Sequence, residues 1–127
     1  MSRFLLLAFS GVFFFVQPVL AQTASHPVPP AVAANFIKKP NTIVLDVRTP
    51  DEFAAGHLKG AQNIDFRAAG FNDRISKLDK SKTYILYCAS GNRSGQTTVL
   101  MEETGFKKVI NAGAFEELKQ AGLKTEK

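Results

Sequence analysis

Two short runs of apolar and β-branched residues constrain the fold of this chain more than any other feature. They are TIVLDV at residues 42–47 and TYILYC at residues 83–88. Neither run shows the regular alternation of apolar and polar residues that marks a strand with one face in water. We therefore expect both runs to be strands of a parallel sheet, because strands of that kind are buried on both faces.

Helical segments separate the expected strands. The predicted helices are residues 31–39, 67–78, 94–104 and 114–122, and further strands are expected near residues 63–64 and at residues 107–111. Strands that alternate with helices predict βαβ units. The predicted fold class is therefore α/β, a single domain with a small parallel sheet and helices on both faces.

Local signals mark a further short helix after Thr49 and the end of the helix at residues 94–104. Thr49 is expected to be an N-cap, with Pro50 in the first helical position and Glu52 completing a capping box. Gly56 is expected to end that short helix. Gly105 is expected to follow the last turn of the helix at residues 94–104.

The first residues have the pattern of a secretory signal. Arg3 precedes an apolar stretch at residues 4–16, and Val19 and Ala21 stand at the −3 and −1 positions of a cleavage site. A membrane-spanning helix needs about 20 apolar residues, so the stretch is short for an anchor. We expect a signal peptide at residues 1–21 and an exported protein, with the periplasm as its expected compartment. No stable membrane association is expected after cleavage.

The remaining chain is expected to divide into an exposed, proline-rich linker at residues 22–30 and a domain at residues 31–127. The net charge of the 127-residue chain is +5, and its basic residues are scattered, with none in runs longer than a pair. Nucleic-acid binding favours a denser basic stripe, so no nucleic-acid partner is expected. A mild positive field suits a small anionic substrate.

The chain has one cysteine, Cys88, at the end of the second long strand. A single cysteine cannot form an internal disulfide, and a free thiol outside the cytosol is open to oxidation. Two interpretations follow: Cys88 is a buried and inert residue, or its thiol is the working group. One cysteine with His26 and His57 does not make a metal-binding pattern, so no metal is expected.

The loop after Cys88 has the composition of an anion-binding turn. Gly91 and Asn92 tolerate left-handed backbone, so the loop can turn its N–H groups inward at the start of a helix. Such a cradle favours the thiolate of Cys88. Arg93 is either a solvated residue or one whose planar guanidinium binds an oxyanion. The positive charge of an arginine is unfavourable at a helix N-terminus, so we expect some other attraction to hold Arg93 there. Ser94 has the simpler interpretation of a helix cap.

Three segments together resemble the rhodanese-like domain family. IVLDVRTPDEFAAGHLKGAQNI at residues 43–64 is similar to its N-terminal signature, YCASGNRSG to its active-site loop, and VINAGAFEEL at residues 109–118 to its closing strand, turn and helix. With the predicted signal peptide, the chain resembles small exported bacterial thiosulfate sulfurtransferases of a single domain.

The resemblance implies a mechanism and a set of site residues. Cys88 would attack the outer sulfur of thiosulfate and become a persulfide, and cyanide or a thiol would then accept the sulfur. Substrate binding would fall to Arg93 and to the loop residues Ala89, Ser90, Gly91, Asn92 and Ser94. No cofactor is implied.

Three further positions of the family are expected to have structural roles because of their places in the chain. Asp46 and Arg48 would form a polar brace beneath the active-site edge, and His57 would make structural hydrogen bonds. The spacing from Cys88 to Arg93 is C-x4-R, as in the sulfurtransferases, whereas related phosphatases and arsenate reductases use C-x5-R. Two alternatives stay open: a non-catalytic binding module for an anion or a partner, and a thiol redox or stress protein.

Overall fold

The computed structural model describes residues 26–127 of the chain. The predicted signal peptide at residues 1–21 lies outside the described residues, as does the first part of the predicted linker. Within residues 26–127, none of the helices has the length and apolar character needed to cross a membrane.

Five helices and six strands alternate along the described part of the chain. The helices are α1 (Pro30–Ile37), α2 (Pro50–Ala55), α3 (Phe71–Ser76), α4 (Asn92–Glu103) and α5 (Phe115–Gln120). The strands are β1 (Thr42–Asp46), β2 (His57–Leu58), β3 (Gln62–Asn63), β4 (Thr83–Cys88), β5 (Lys108–Ala114) and β6 (Thr125–Glu126).

Four of the strands form one parallel sheet in the order β3-β1-β4-β5. The predicted α/β class and parallel sheet are therefore confirmed. β4 is central, since it pairs with β1 from Thr83 to Tyr87 and with β5 from Thr83 to Cys88. A separate antiparallel pair joins β2 to β6.

Helices cover both faces of the sheet. This arrangement was expected, because the two long strands do not alternate apolar and polar residues. On β4, Tyr84, Leu86 and Cys88 belong to one buried cluster, which also contains Phe71 and Ile75 of α3 and Met101 of α4. The intervening residues Ile85 and Tyr87 belong to a second cluster, with Ala33 of α1 and Phe115 and Leu118 of α5. Cys88 therefore lies on the face that α3 and α4 cover.

Several predicted element boundaries were wrong, among them two-residue overestimates at the ends of α1, α3 and α5. α3 begins at Phe71 instead of residue 67, because Gly70 precedes it with a φ of +80° and residues 67–70 form turns. α4 begins at Asn92, two residues before the prediction, directly after Gly91 with a φ of +91°. β5 continues to Ala114 instead of ending at residue 111, with an irregular register between Leu86 and Tyr87 of β4.

The predicted local signals agree with the structure at both helix ends. Thr49 Oγ1 accepts from the backbone N–H of Glu52, and Glu52 accepts in return from the N–H of Thr49. After α4, the N–H of Phe106 donates to the carbonyl of Met101 and that of Gly105 to Glu102, which are the two bonds of a glycine-ended helix.

The described end of the predicted linker is tied to the sheet by a backbone hydrogen bond. His26, Pro27 and Pro29 are exposed, but Val28 is half-buried against the second cluster. The N–H of Val28 donates to the carbonyl of Asn111 at 2.9 Å, which ties this segment to β5.

A buried ion pair closes the carboxyl end of β1. Arg48 donates from Nε to Asp46 Oδ1 at 3.0 Å and from Nη2 to Oδ2 at 2.7 Å. Its Nη2 also donates to the carbonyl of Gly56, and its guanidinium lies 4.3 Å from the ring centre of Phe115. The pair thus joins β1, the end of α2 and the start of α5.

Arg48→Met should destabilise the fold strongly. The substitution leaves the Asp46 carboxylate buried without its cation, and breaking a buried pair in this way costs about 3–5 kcal/mol. Urea unfolding of Arg48→Met and of the exposed-site control Arg67→Met measures the difference. The control should stay within about 0.5 kcal/mol of the unsubstituted protein. Equal, small losses in both variants would contradict a stabilising role for the pair.

Candidate active site

The candidate site is the turn between β4 and α4, at the carboxyl edge of the parallel sheet, where ligands bind in open α/β folds. Cys88 is the last residue of β4, and its side chain is fully buried. Ala89 and Ser90 are exposed, while Gly91 is buried and starts the helix. The turn therefore leads from a buried sulfur to a helix N-terminus within four residues.

Hydrogen-bond donors of the turn and of the first turn of α4 surround the sulfur of Cys88. The N–H of Gly91 lies 3.0 Å from Sγ, the N–H of Ser94 lies 3.5 Å away, and the hydroxyl of Ser94 lies 3.4 Å away. Burial opposes ionisation of the thiol, but the hydrogen bonds from Ser94, Ser90 and Gly91 outweigh it and lower the pKa of Cys88. The turn is therefore built to favour a thiolate.

Gly91 is the residue that lets the turn close. Its φ of +91° is a conformation that side chains rarely adopt, and a Cβ there would lie 3.3 Å from Cα of Gly113. The atom that this Cβ would approach belongs to the backbone of Gly113, which cannot shift aside as a flexible side chain could. The close approach holds the active turn against the irregular end of β5.

Arg93 is paired with a carboxylate on α2. Its Nη1 donates to Glu52 Oε1 at 2.9 Å and its Nη2 to Oε2 at 3.2 Å. The hydrogen bond from Arg93 lowers the pKa of Glu52 to about 2, so this carboxylate stays ionised at ordinary pH. Glu52 is the attraction that holds an arginine at the start of α4, against the helix dipole.

The sequence interpretation of Glu52 was therefore incomplete. Its Oε1 accepts from Thr49 in the capping box and from Arg93 at the same time. A single sequence does not reveal that Arg93 pairs with Glu52, because the two residues are 41 positions apart. The unfavourable position of Arg93 at a helix N-terminus was nevertheless a signal that it had a partner.

Ser94 does not cap the helix, which corrects its simpler interpretation. It lies inside the first turn of α4, is fully buried, and donates from Oγ to Asn111 Oδ1 at 2.8 Å. Asn111 on β5 was not among the predicted site residues. A polar residue inside the apolar run VINA was the available signal, because a buried amide is retained only with hydrogen-bond partners.

The side chain of Asn92 faces away from the sulfur. Its Oδ1 accepts from Nε2 of Gln96 at 2.7 Å on the exposed side of α4. Its backbone N–H donates to Oγ of Ser90 at 3.3 Å. Asn92 thus contributes its backbone to the turn, while Ala89 and Ser90 form the exposed rim.

Asp46, Arg48 and His57 lie on the other face of the sheet. Arg48 packs over the ring of Tyr87, which points away from the side that Cys88 occupies. His57 stacks on Phe53 with ring centres 3.7 Å apart, and its Nδ1 lies 2.9 Å from the Phe53 carbonyl. These contacts brace β1 and β2 beneath the site.

No group of three or more histidine, cysteine, aspartate or glutamate side chains in residues 26–127 is arranged to hold a metal ion. The chemistry that these residues present is that of one thiolate, its hydrogen-bond donors and one arginine.

Comparison with protein families decides what kind of domain this is. The model of the rhodanese-like domain matches residues 29–121. The chain belongs to the rhodanese-like domain family. The resemblance seen in the three sequence segments is thereby confirmed, and Cys88 and the turn that follows it lie within the matched residues.

Curated rhodanese relatives include thiosulfate sulfurtransferases. The chain is 31% identical over 80 residues to thiosulfate sulfurtransferase PspE of Escherichia coli K12, covering 63% of this chain and 77% of the relative. It is 33% identical over 90 residues to thiosulfate sulfurtransferase GlpE of Pseudomonas putida F1, covering 70% and 80%. These relatives support a sulfurtransferase function in general.

Solved rhodanese structures share the fold. The Alr3790 protein from Anabaena sp. matches with a TM-score of 0.66 at 28% identity, covering 76% of this chain and 79% of that one. A structure described as rhodanese with anions from E. coli matches with a TM-score of 0.57 at 29% identity, covering 68% and 98%.

Gly91→Ala should cost more stability than Gly60→Ala and should slow reaction of the thiol. Both glycines have a positive φ, +91° and +79°, but a Cβ at Gly60 would meet nothing within 4 Å. Each variant bears about 1–2 kcal/mol of left-handed strain, and Gly91→Ala adds the clash with Gly113. Urea unfolding and the rate of Cys88 alkylation by iodoacetamide measure the two effects. Equal costs and equal rates would show that the close approach is unimportant.

Proposed function

We propose that the protein is a thiosulfate sulfurtransferase in which Cys88 carries the transferred sulfur. The observation that carries the proposal is the set of donors aimed at a buried sulfur, from the N–H of Gly91 and from the N–H and hydroxyl of Ser94. Donors placed in this way stabilise negative charge on sulfur without reorganising during the reaction. The names of the curated relatives supply the substrate class.

In the first half-reaction, the thiolate of Cys88 attacks the outer sulfur of thiosulfate. An S–S bond forms between Sγ and that sulfur, and the bond from that sulfur to the sulfonate breaks. Its electron pair leaves with sulfite, so the enzyme keeps one added sulfur and one negative charge. The N–H groups at the start of α4 face this charge, as a helix N-terminus does for other anions.

In the second half-reaction, an acceptor attacks the outer sulfur of the persulfide. Cyanide would leave as thiocyanate, and a thiolate would leave as a new persulfide. In both cases the electron pair of the S–S bond returns to Sγ and regenerates the Cys88 thiolate. The balance needs no oxidant, reductant or cofactor.

Arg93 is proposed to hold the sulfonate end of thiosulfate. A guanidinium has five N–H donors, and Glu52 accepts from one on each terminal nitrogen. The other N–H groups do not bond Glu52, and the guanidinium lies close enough to Cys88 to interact with its sulfur, so these donors are available beside the reacting atom. Because Glu52 balances the charge of Arg93, the arginine would act through directed hydrogen bonds more than through net attraction.

We further propose that residues 1–21 direct export and are removed, which places the domain outside the cytoplasm. Intact mass of the protein recovered from its host tests this step. A chain that begins at Gln22 is expected, and a chain that retains residues 1–21 would contradict export with cleavage.

Thiosulfate should add one sulfur atom to the protein, and Cys88→Ser should prevent it. Intact mass is measured before and after incubation with thiosulfate, and again after cyanide. The unsubstituted protein should gain one sulfur and lose it to cyanide, because Cys88 is the only thiol in the chain. If a confirmed free thiol gains no sulfur, the domain is a non-catalytic binding module. If Cys88 is instead recovered as an oxidised thiol, the redox alternative is favoured.

Arg93→Ala should raise the KM for thiosulfate by about 10- to 100-fold, the effect of hydrogen bonds to a charged group, with a smaller effect on kcat. Arg67→Ala is the matched control, because it removes the same side chain from an exposed turn outside the site. The control should not raise KM. An unchanged KM in Arg93→Ala, or an equal rise in both variants, would show that Arg93 does not bind the donor.

A further inference from the structure

The hydroxyl of Ser94 lies between two acceptors but has only one hydrogen. Asn111 Oδ1 is 2.8 Å from Ser94 Oγ, and Cys88 Sγ is 3.4 Å away. While the sulfur is an uncharged thiol it is a weak acceptor, so the amide oxygen of Asn111 is favoured as the partner of the hydroxyl hydrogen. A thiolate is a far stronger acceptor, so charge on the sulfur favours rotation of the hydrogen toward Sγ.

The amide of Asn111 is held in one orientation by its neighbours. Its Oδ1 also accepts from the N–H of Gly113 at 3.0 Å, and its Nδ2 donates to the carbonyl of Gly91 at 3.2 Å. The irregular register of β5, where Asn111 pairs with Leu86 and Gly113 with Tyr87, brings both groups to the amide. Oδ1 therefore keeps a donor even when the Ser94 hydrogen turns away.

We propose that Asn111 is a positioning residue that holds the hydroxyl hydrogen of Ser94 while the sulfur of Cys88 is uncharged and releases it when the sulfur carries charge. The inference deepens the proposed function, since it rests on Cys88 as the sulfur carrier. The hydrogen stays bonded to Ser94 Oγ throughout, so the step is a rotation and no proton is transferred.

The rotation would follow the charge through the reaction. The thiolate receives the hydroxyl hydrogen before attack. In the persulfide, the charge lies on the outer sulfur, and the hydrogen returns to Asn111 Oδ1. When an acceptor removes the outer sulfur, the charge comes back to Sγ and the hydroxyl donates to it again, which stabilises the leaving thiolate.

The other charged groups around Cys88 keep their charges and partners while the hydroxyl hydrogen rotates. Arg93 at the start of α4 interacts electrostatically with the sulfur, and Glu52 on α2 is paired with Arg93. Asp46 and Arg48 neutralise each other on the opposite face of the sheet. Substitutions at Asn111 and Ser94 leave these charges in place.

A double-mutant cycle tests the proposal, with the pH dependence of Cys88 alkylation by iodoacetamide as the readout. Asn111→Leu removes the competing acceptor at similar volume, so the hydroxyl of Ser94 is left to the sulfur. The alkylation pKa should fall, and the rate at a pH below that pKa should rise about two- to tenfold, the effect of one hydrogen bond. In a Ser94→Ala background, Asn111→Leu should shift the alkylation pKa by less, because only the contacts of the amide with Gly91 and Gly113 are then lost.

A second substitution keeps the test valid if Asn111→Leu does not fold. Asn111→Asp has the same shape and a stronger acceptor, so it should raise the alkylation pKa, and by more with Ser94 present than in Ser94→Ala. Thr98→Val is the matched control, because Thr98 is buried on the same helix and donates from Oγ1 to the Ser94 carbonyl. It should alter stability without moving the alkylation pKa.

The outcomes separate this inference from the proposed function. A shift of equal size in both Ser94 backgrounds, or a rise in pKa with Asn111→Leu, would overturn the role of Asn111 through Ser94. The alkylation readout uses no thiosulfate, so it can fail while a persulfide still forms. The predicted alkylation pKa shifts can also be found in a protein that never takes up sulfur. That result would support the rotation of the Ser94 hydroxyl hydrogen and contradict only the proposed sulfur transfer.

Discussion

The parallel pairing of β4 between β1 and β5 is the constraint on which the rest of the structure depends. Because β4 is buried on both faces and paired on both edges, its last residue, Cys88, has a fixed position and direction. The chain can then turn only at the carboxyl edge of the sheet, and α4 must follow at once to cover the face. The site is a consequence of this sheet end, since a buried sulfur and a helix N-terminus meet there.

Burial and hydrogen bonding act in opposite directions on the sulfur. Burial alone would keep Cys88 protonated and inert, which is the usual state of a lone buried cysteine. The donors of Gly91 and Ser94 reverse this balance and lower the pKa of the thiol. Glu52 meanwhile balances the charge of Arg93, so local hydrogen bonds carry most of the stabilisation of the thiolate. Such a site depends on the exact shape of its turn more than on the net charge of the protein.

Features that are local in sequence could be predicted, and features that depend on distant partners could not. The two apolar runs specified β1 and β4, and the capping box and Gly105 specified helix ends, because each signal lies within a few residues. The same holds for Cys88 and its glycine turn. The pairing of Glu52 with Arg93 and the contacts of Asn111 arise from packing of α2 and β5 against the turn, which no local pattern encodes. The late start of α3 and the early start of α4 follow from left-handed glycines whose conformation only the fold determines.

Sulfite release in a single turnover tests the central claim most directly. The purified protein is mixed with thiosulfate in the absence of any acceptor, and the sulfite formed is counted per molecule of protein. About one equivalent is expected from the unsubstituted protein and none from Cys88→Ser, because one thiolate can accept one sulfur before it must be discharged. No sulfite from a protein whose thiol is free, or equal sulfite from Cys88→Ser, would contradict the assignment of Cys88 as the sulfur carrier.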